Sequence, residues 1–243
     1  EFSDEKIAKI RKLASFHITD SVLPHELSFL SSFDQNTGIG QPANFKIQKL
    51  IRYGPNYSLL EYINGLTLSE LMDLSETLPE ELFECIGRGL AELNGYWKID
   101  LVDCNFRNFI IQANQLDNLD ARTLDFKPEL LKFDGFSFYI IDFEDARKIA
   151  GDTDSEDCYH FIEHLVTMKG GIFEELENVI AINRLDGYLS RFMKSYNETI
   201  LGYPEFNNFR FDLSKIVERI KQAAITRNVD ISYETIHQRL SCF

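Results

Sequence analysis

The residues that decide the fold are Asp103-Cys-Asn-Phe-Arg-Asn108, followed directly by the apolar run Phe109-Ile-Ile111. Further along, Tyr139-Ile-Ile-Asp142-Phe-Glu144 places an acid at the exit of a second apolar run. Before both, residues 79–97 predict a long helix, because acids fill the first turn after Pro79 and leucines recur at helical spacing. Helix, polar loop, strand, linker and strand with an acidic exit therefore follow one another.

The rest of the chain completes an α+β pattern. Strand-like runs at 45–54 and 57–63 lie near the start, and helical periodicity dominates after residue 157. Residues 4–16 fit either a helix or a strand that carries a lysine. We therefore predict a sheet-rich front over residues 1–63 and a helical back over residues 64–243.

The residue types in the two stretches suit phosphoryl transfer. The D-x-x-x-x-N spacing is typical of a phosphotransfer catalytic loop. An incoming hydroxyl must be oriented and lose its proton, which is a task for a carboxylate, here Asp103. Divalent cations that neutralise a phosphoryl group prefer oxygen ligands, so the Asn108 amide and the Asp142 carboxylate suit Mg²⁺. Each residue alone also fits a cap or a turn; their order indicates the chemistry.

With these motifs the chain resembles the protein-kinase-like superfamily, and within it the choline kinase and aminoglycoside phosphotransferase branch more than the Ser/Thr/Tyr kinases. Asp142-Phe-Glu144 is similar to the D-F-E of choline kinases rather than to D-F-G. Ile86–Leu93 resembles the helix leading into the catalytic loop, and Asp157–Glu163 resembles the helix behind that loop, which starts with an acid. The resemblance covers about residues 6–165. It implies a bilobal fold with a reduced N-terminal sheet lobe, a helical C-terminal lobe, and ATP and Mg²⁺ as cofactors.

The resemblance also implies nucleotide-binding residues in the front lobe. Ser58–Leu68 resembles the strand, hinge and helix of that branch, whose hinge backbone receives adenine, so Glu61 and Ile63 are implied as binding residues. Kinase-like folds hold the α- and β-phosphates with a strand lysine paired to a helix glutamate, which implies Lys9 and Glu26. The alternatives are a solvated Lys9 on a charged helix and Glu26 as a first-turn helix acid.

Two features depart from the family pattern. The Gly-rich phosphate loop is absent, because only eight residues precede Lys9, and Gly38-Ile-Gly40 is too short and comes after Glu26. We expect Gly38-Ile-Gly40 to be an ordinary loop. Leu101 stands where a His or Tyr usually precedes the catalytic aspartate by two. The first departure indicates a truncated chain, unusual handling of ATP, or weak ATP binding.

Composition limits the classes of partner. The formal net charge is −14, from 39 acidic and 25 basic residues, which argues against a nucleic-acid binder and is compatible with a cationic substrate. The four cysteines form no C-x-x-C pair, which favours reduced thiols and a cytoplasmic location. No apolar run approaches the roughly 18 residues of a membrane span.

The sequence therefore predicts an ATP-dependent phosphotransferase that transfers the γ-phosphoryl group to a hydroxyl of a small molecule, with a weak preference for an amine-bearing one. A second hypothesis is a catalytically weak or inactive pseudokinase that serves as a binding or scaffold module with a protein partner. A third is a divergent protein kinase. The residues do not identify the acceptor.

Overall fold

The computed structural model describes residues 9–12, 22–33, 42–54, 57–75, 77–113, 135–150, 155–167 and 179–226. These residues form a mixed α+β fold, as the sequence predicts. Gly38-Ile-Gly40, predicted to be a loop, lies outside the described residues. No helix in the described part of the chain is both long and apolar enough to cross a membrane.

Nine strands and six helices are described. The strands are β1 (Lys9–Lys12), β2 (Lys46–Ile47), β3 (Leu50–Gly54), β4 (Tyr57–Leu60), β5 (Leu66–Thr67), β6 (Ile99–Asp100), β7 (Phe109–Ala113), β8 (Phe136–Ile140) and β9 (Arg147–Lys148). The helices are α1 (Val22–Ser32), α2 (Leu68–Leu74), α3 (Glu80–Gly95), α4 (Asp157–Thr167), α5 (Val179–Ile200) and α6 (Leu213–Thr226).

The front of the chain forms a three-stranded antiparallel sheet in the order β1-β4-β3. The ambiguous segment 4–16 contains a strand, since residues 9–12 pair with β4 and Lys9 lies opposite Leu60. The predicted strand 57–63 ends at Leu60. Beyond it, residues 61–65 run without strand pairing to β5, and so connect the front sheet to the rest of the molecule.

A second, four-stranded sheet has the order β2-β8-β7-β5. The predicted single strand 45–54 is divided in two, because β2 pairs with β8 whereas β3 pairs with β4. The antiparallel pair β7–β8 forms the middle of this sheet, with Phe109 opposite Ile140. The loop before β7 and the residues after β8 therefore emerge at the same end of the sheet.

The long helix predicted at 79–97 is confirmed as α3. Its apolar face is completely buried, with Leu82, Ile86, Leu90 and Leu93 each 0% exposed. The helix packs closely on α5: a Cβ atom added at Gly87 would lie 2.2 Å from Ser195 Oγ and 2.7 Å from the Phe192 carbonyl oxygen. Because α3 ends just before β6, its burial fixes the start of the polar loop that follows.

Candidate functional site

The end of the β7–β8 pair brings together the polar residues that the sequence singled out. Asn108 immediately precedes β7, and its carbonyl oxygen accepts the N–H of Ile141 at 2.9 Å. This bond continues the ladder one step beyond the Phe109–Ile140 pair. Asn108 therefore lies opposite the exit of β8, and Asp142 is the next residue along that exit.

The Asn108 side chain has a defined orientation. It is 7% exposed, and its Nδ2 donates a hydrogen bond to the Asp103 carbonyl oxygen at 3.0 Å. A carbonyl oxygen only accepts, so the amide nitrogen must face it and the amide oxygen must face away. Within the described residues no donor engages that oxygen. An amide oxygen without a donor retains the capacity to accept a hydrogen bond or to bind a cation.

Asp103 lies on a strained turn. Its N–H donates to the Leu101 carbonyl at 2.8 Å, which closes a three-residue turn centred on Val102. Val102 has φ 67°, a left-handed conformation that is costly for a β-branched residue. Such strain persists only where the surroundings impose it, and it is concentrated at functional sites. The Asp103 side chain is exposed, so an incoming molecule can reach its carboxylate.

Asp142 is also held in a left-handed conformation, with φ 64°. The next residue, Phe143, is completely buried and packs against two rings: Phe29 of α1, with centroids 6.5 Å apart, and Phe33, the residue after α1, with centroids 5.6 Å apart. His25, also on α1, forms a hydrogen bond between its Nε2 and the Ala146 carbonyl. Helix α1 therefore contacts the segment after β8 at two points and fixes where Asp142 leaves the sheet.

The first residue of α4 holds the backbone of the Asp103 turn. Asp157 is 0% exposed and accepts hydrogen bonds from Leu101 N at 3.0 and 2.9 Å and from Val102 N at 3.2 Å. Burial raises the pKa of the Asp157 carboxyl, and neighbouring Asp100 raises it further, although the N–H donors act in the opposite direction. The left-handed conformation of Val102 is therefore imposed from α4.

Leu101, which stands where the kinases that the sequence resembles carry a His or Tyr, takes part in this contact. Its side chain is 1% exposed and packs in the core, while its backbone N–H provides the hydrogen bonds to Asp157. The backbone of the loop is thus held without a polar side chain at this position.

A charged pair joins the segment after Asp142 to the strand before the loop. Asp100 is 1% exposed, and its Oδ2 accepts from Arg147 Nε at 3.0 Å and from Nη2 at 2.7 Å. The pair spans the antiparallel strands β6 and β9. The guanidinium balances one of the two neighbouring buried carboxyls, Asp100 and Asp157, which would otherwise repel each other when ionised.

Glu61 and Ile63 lie on the segment that leads to β5. The Glu61 N–H donates to the Lys49 carbonyl at 2.8 Å, and its carbonyl accepts from Gln48 Nε2 at 2.7 Å. The Ile63 carbonyl accepts the N–H of Gly65 at 3.0 Å, whereas the Ile63 N–H has no acceptor among the described residues. Of the two backbone N–H groups at the predicted adenine contacts, only that of Ile63 is therefore left without an acceptor among the described residues.

The same segment approaches the sheet that carries Asn108. A Cβ atom added at Gly65 would lie 2.6 Å from the Ile111 carbonyl oxygen, so only a glycine allows this approach. Ile111 lies in β7, three residues after Asn108. The segment with the predicted hinge therefore leads into β5, which pairs with β7, the strand that follows Asn108.

The predicted Lys9–Glu26 pair is placed in part. Lys9 lies in strand β1, so the alternative that put it on a charged helix is wrong; its side chain is outside the described part of the structure. Glu26 is 3% exposed and comes after the first turn of α1, which contains no acid, so the first-turn alternative is wrong as well. Pairing between the two remains a prediction.

Two polar residues behind the loop were missed by the sequence reasoning. Asn94 and Tyr196 are 0% and 1% exposed, and both belong to the hydrogen-bonded group around Asp157. The sequence signal for Asn94 was its position as a polar residue on the apolar face of α3, directly after Leu93. No sequence pattern pairs it with a tyrosine 102 residues away.

Neither a scan against protein-family models nor a search of curated proteins found a match to this chain. Within the described ranges, no group of three or more His, Cys, Asp or Glu side chains is arranged to hold a metal ion. The donor set at the end of β7–β8 is of another kind, with one amide oxygen and one carboxylate. Mg²⁺ is commonly bound by one or two protein oxygens together with substrate phosphates.

Proposed function

We propose that this protein is an ATP-dependent phosphotransferase of the protein-kinase-like fold, which transfers the γ-phosphoryl group to a hydroxyl of a small molecule. Asp103 is the proton acceptor, Asn108 and Asp142 hold Mg²⁺, and the segment containing Glu61 and Ile63 receives the adenine. Lys9 and Glu26 contact the α- and β-phosphates. The three-stranded front sheet, the connecting segment and the largely helical remainder, which also contains the β2-β8-β7-β5 sheet and the β6–β9 pair, are compatible with a bilobal arrangement.

The observation that carries the proposal is the orientation of Asn108. The side-chain Nδ2 of Asn108 donates to the Asp103 carbonyl, and the backbone carbonyl of Asn108 accepts from Ile141 N. Asn108 therefore links the loop to the exit of β8. The Asn108 amide oxygen has no donor among the described residues, and Asp142 follows Ile141, the residue opposite Asn108. An oxygen ligand, a carboxylate and a proton acceptor within one short stretch of surface are the groups that phosphoryl transfer requires.

Each residue has a separable task. Bound Mg²⁺ would neutralise charge on the phosphate oxygens. Asp103 orients the acceptor hydroxyl and takes its proton, which its exposed carboxylate on a fixed turn allows. The proton moves from the hydroxyl oxygen to the Asp103 carboxylate as that oxygen bonds to the γ-phosphorus and the bond from phosphorus to the β–γ bridging oxygen breaks, releasing ADP.

The acceptor is proposed to be a small molecule rather than a protein because Glu144 follows Asp142-Phe143 in place of glycine. Glu144 and Asp145 are both exposed directly after the proposed metal ligand. Together with the net charge of −14, these acids favour an acceptor that carries a cationic amine.

A thermal-shift measurement with ATP and Mg²⁺ tests nucleotide binding. A ligand that binds only the folded state at 100 times its dissociation constant stabilises it by about 2.7 kcal/mol. For a chain of this size that corresponds to a rise in Tm of roughly 5–10 °C. A full-length protein whose Tm does not move with Mg²⁺-ATP would favour the scaffold hypothesis over this one.

Turnover tests the role of Asp103. With a panel of hydroxyl-bearing amines, we expect Asp103→Asn to reduce ATP turnover about 10²- to 10⁴-fold, the range attributed to general acid–base catalysis, and to preserve the Mg²⁺-ATP thermal shift. Asp212→Asn is the matched control, because Asp212 is exposed and caps α6 through the Lys215 N–H at 3.2 Å. Full turnover in Asp103→Asn would refute the assigned role. Phosphorylation of a generic protein but not of the panel would favour the protein-kinase hypothesis.

A further inference from the structure

Behind the loop, a buried chain of hydrogen bonds leads from Asp157 to helix α5. Asn94 Nδ2 donates to Asp157 Oδ2 at 2.8 Å, and Tyr196 Oη donates to Asn94 Oδ1 at 2.9 Å. All three side chains are at most 1% exposed. No part of this chain touches the proposed ligands directly, so its contribution must pass through the backbone of residues 101 and 102.

Asn94 is completely satisfied by these contacts. Its Nδ2 also donates to the Ile99 carbonyl at 2.7 Å, so both amide hydrogens and the amide oxygen have partners. Only one orientation of the amide serves all of them, since a flip would set its oxygen against the Ile99 carbonyl and the Asp157 carboxyl. Tyr196 supplies the donor for the amide oxygen, which would otherwise be buried without a partner.

We infer that Tyr196 and Asn94 are positioning residues: they hold the Asp157 carboxyl, which in turn imposes the strained turn that presents Asp103. Burial raises the pKa of the Tyr196 hydroxyl well above its ordinary value, which favours the protonated form that donates to Asn94. Asn94 couples two regions at once, because it also holds Ile99 at the start of β6. The catalytic consequence of this inference rests on the proposed function; the structural link does not.

Helix α5 offers a matched control for the test. Tyr188 lies on the same helix, is 7% exposed, and uses its hydroxyl to accept the Leu78 N–H at 2.7 Å. Its ring stacks on Phe83 in the first turn of α3, whereas Asn94 lies near the C-terminal end of that helix. Tyr188→Phe therefore removes a buried hydroxyl and its hydrogen bond to the Leu78 N–H, without touching the Asn94–Asp157 connection.

The first measurement is hydrogen–deuterium exchange of the full chain, which needs no substrate. Removing the Tyr196 hydroxyl should raise exchange of the Leu101 and Val102 amides about tenfold, because the loss of a buried hydrogen bond favours local opening by that order. Tyr188→Phe should leave these two amides unchanged. Equal exchange at Leu101 and Val102 in the two variants would overturn the inference.

The second measurement separates positioning from general destabilisation. With Mg²⁺-ATP as substrate, Tyr196→Phe should lower kcat roughly five- to tenfold and leave KM for ATP unchanged, since misplacing a reacting group slows the chemistry without weakening nucleotide binding. Tyr188→Phe should keep the wild-type kcat. A KM change without a kcat change would contradict positioning of Asp103. If wild-type protein shows no turnover but the exchange difference appears, the proposed function fails and the Tyr196–Asp157 link stands.

Discussion

Replacing Asp157 with asparagine probes the contact on which the geometry of the Asp103 turn depends. The wild-type carboxyl accepts from three donors, Leu101 N, Val102 N and Asn94 Nδ2, over distances of 2.8 to 3.2 Å. In Asp157→Asn, the single amide oxygen can still accept from the two backbone N–H groups. The new amide nitrogen then faces Asn94 Nδ2, so two donors meet where a hydrogen bond existed.

The magnitude follows from that one lost bond. A buried donor left without a partner costs about 1–3 kcal/mol, so we expect Asp157→Asn to lower the free energy of unfolding by roughly 2 kcal/mol. In a chain of this size the same change lowers Tm by about 4–8 °C. Asp212→Asn is again the control, since asparagine caps a helix as well as aspartate and the expected loss is about 0.5 kcal/mol or less.

The stability difference between the wild type and Asp157→Asn should depend on pH in a definite direction. The pKa of the Asp157 carboxyl is raised in the folded state by burial and by Asp100. A group of this kind contributes stability that is fully present below its unfolded pKa, about 3.9, and is lost as pH rises through the folded pKa. Asparagine does not titrate. The stability advantage of the wild type over Asp157→Asn should therefore shrink as pH rises above about 4.

Urea unfolding of both proteins at several pH values between 4.5 and 8 measures this difference. An advantage that grows with pH would refute the reasoning. It would mean that the N–H donors outweigh burial and that the carboxylate is ionised in the folded protein. A variant as stable as the wild type at every pH would refute the contact itself.

Two further predictions concern helix packing. Gly87→Ala should destabilise the protein by about 1–3 kcal/mol in urea unfolding, because the added Cβ would lie 2.7 Å from the Phe192 carbonyl oxygen. This cost should exceed the gain from the higher helix propensity of alanine. As a control, Gly202→Ala should cost less, since the nearest atom to its Cβ is 3.1 Å away. For Glu156, desolvation acts to raise the carboxyl pKa, but hydrogen bonds and charges from Lys215 and Arg219 outweigh it, and the net pKa is lowered. Glu156→Gln should therefore cost about 1 kcal/mol at pH 7, and this deficit should disappear as pH falls below about 4, where the wild-type carboxylate becomes protonated. A deficit in Glu156→Gln that is constant from pH 7 to pH 3 would argue against the ion pairs.

Sequence periodicity was sufficient for the elements that bury one continuous face. Helix α3 carries its apolar residues at helical spacing, and β7 and β8 are short apolar segments, so their positions were predictable. Because β7 and β8 are successive apolar strands with polar residues at the adjacent ends, the proximity of Asn108 and Asp142 was within reach of the same reasoning. Asn108 and Asp142 each lie at the end of an apolar segment, which is a pattern of neighbouring residues in the sequence.

Long-range pairing was not predictable in the same way. The pattern of residues 45–54 indicates strand, but it contains no information that β2 joins β8 rather than β3. The Asn94–Tyr196 hydrogen bond joins residues from two helices that are far apart in sequence. Periodicity identifies which face of a helix is buried, and it leaves open which element covers that face.

Manganese binding monitored by electron paramagnetic resonance tests the central claim most directly, because Mn²⁺ replaces Mg²⁺ and its free form gives a strong signal. With ATP present, we expect wild-type protein and Asp103→Asn to reduce the free Mn²⁺ signal beyond the effect of ATP alone, and Asp142→Asn and Asn108→Ala to lose most of this reduction. Asp145→Asn, an exposed neighbour, should behave as the wild type. Equal Mn²⁺-ATP binding by the wild type and Asp142→Asn would contradict a metal site at the exit of β8.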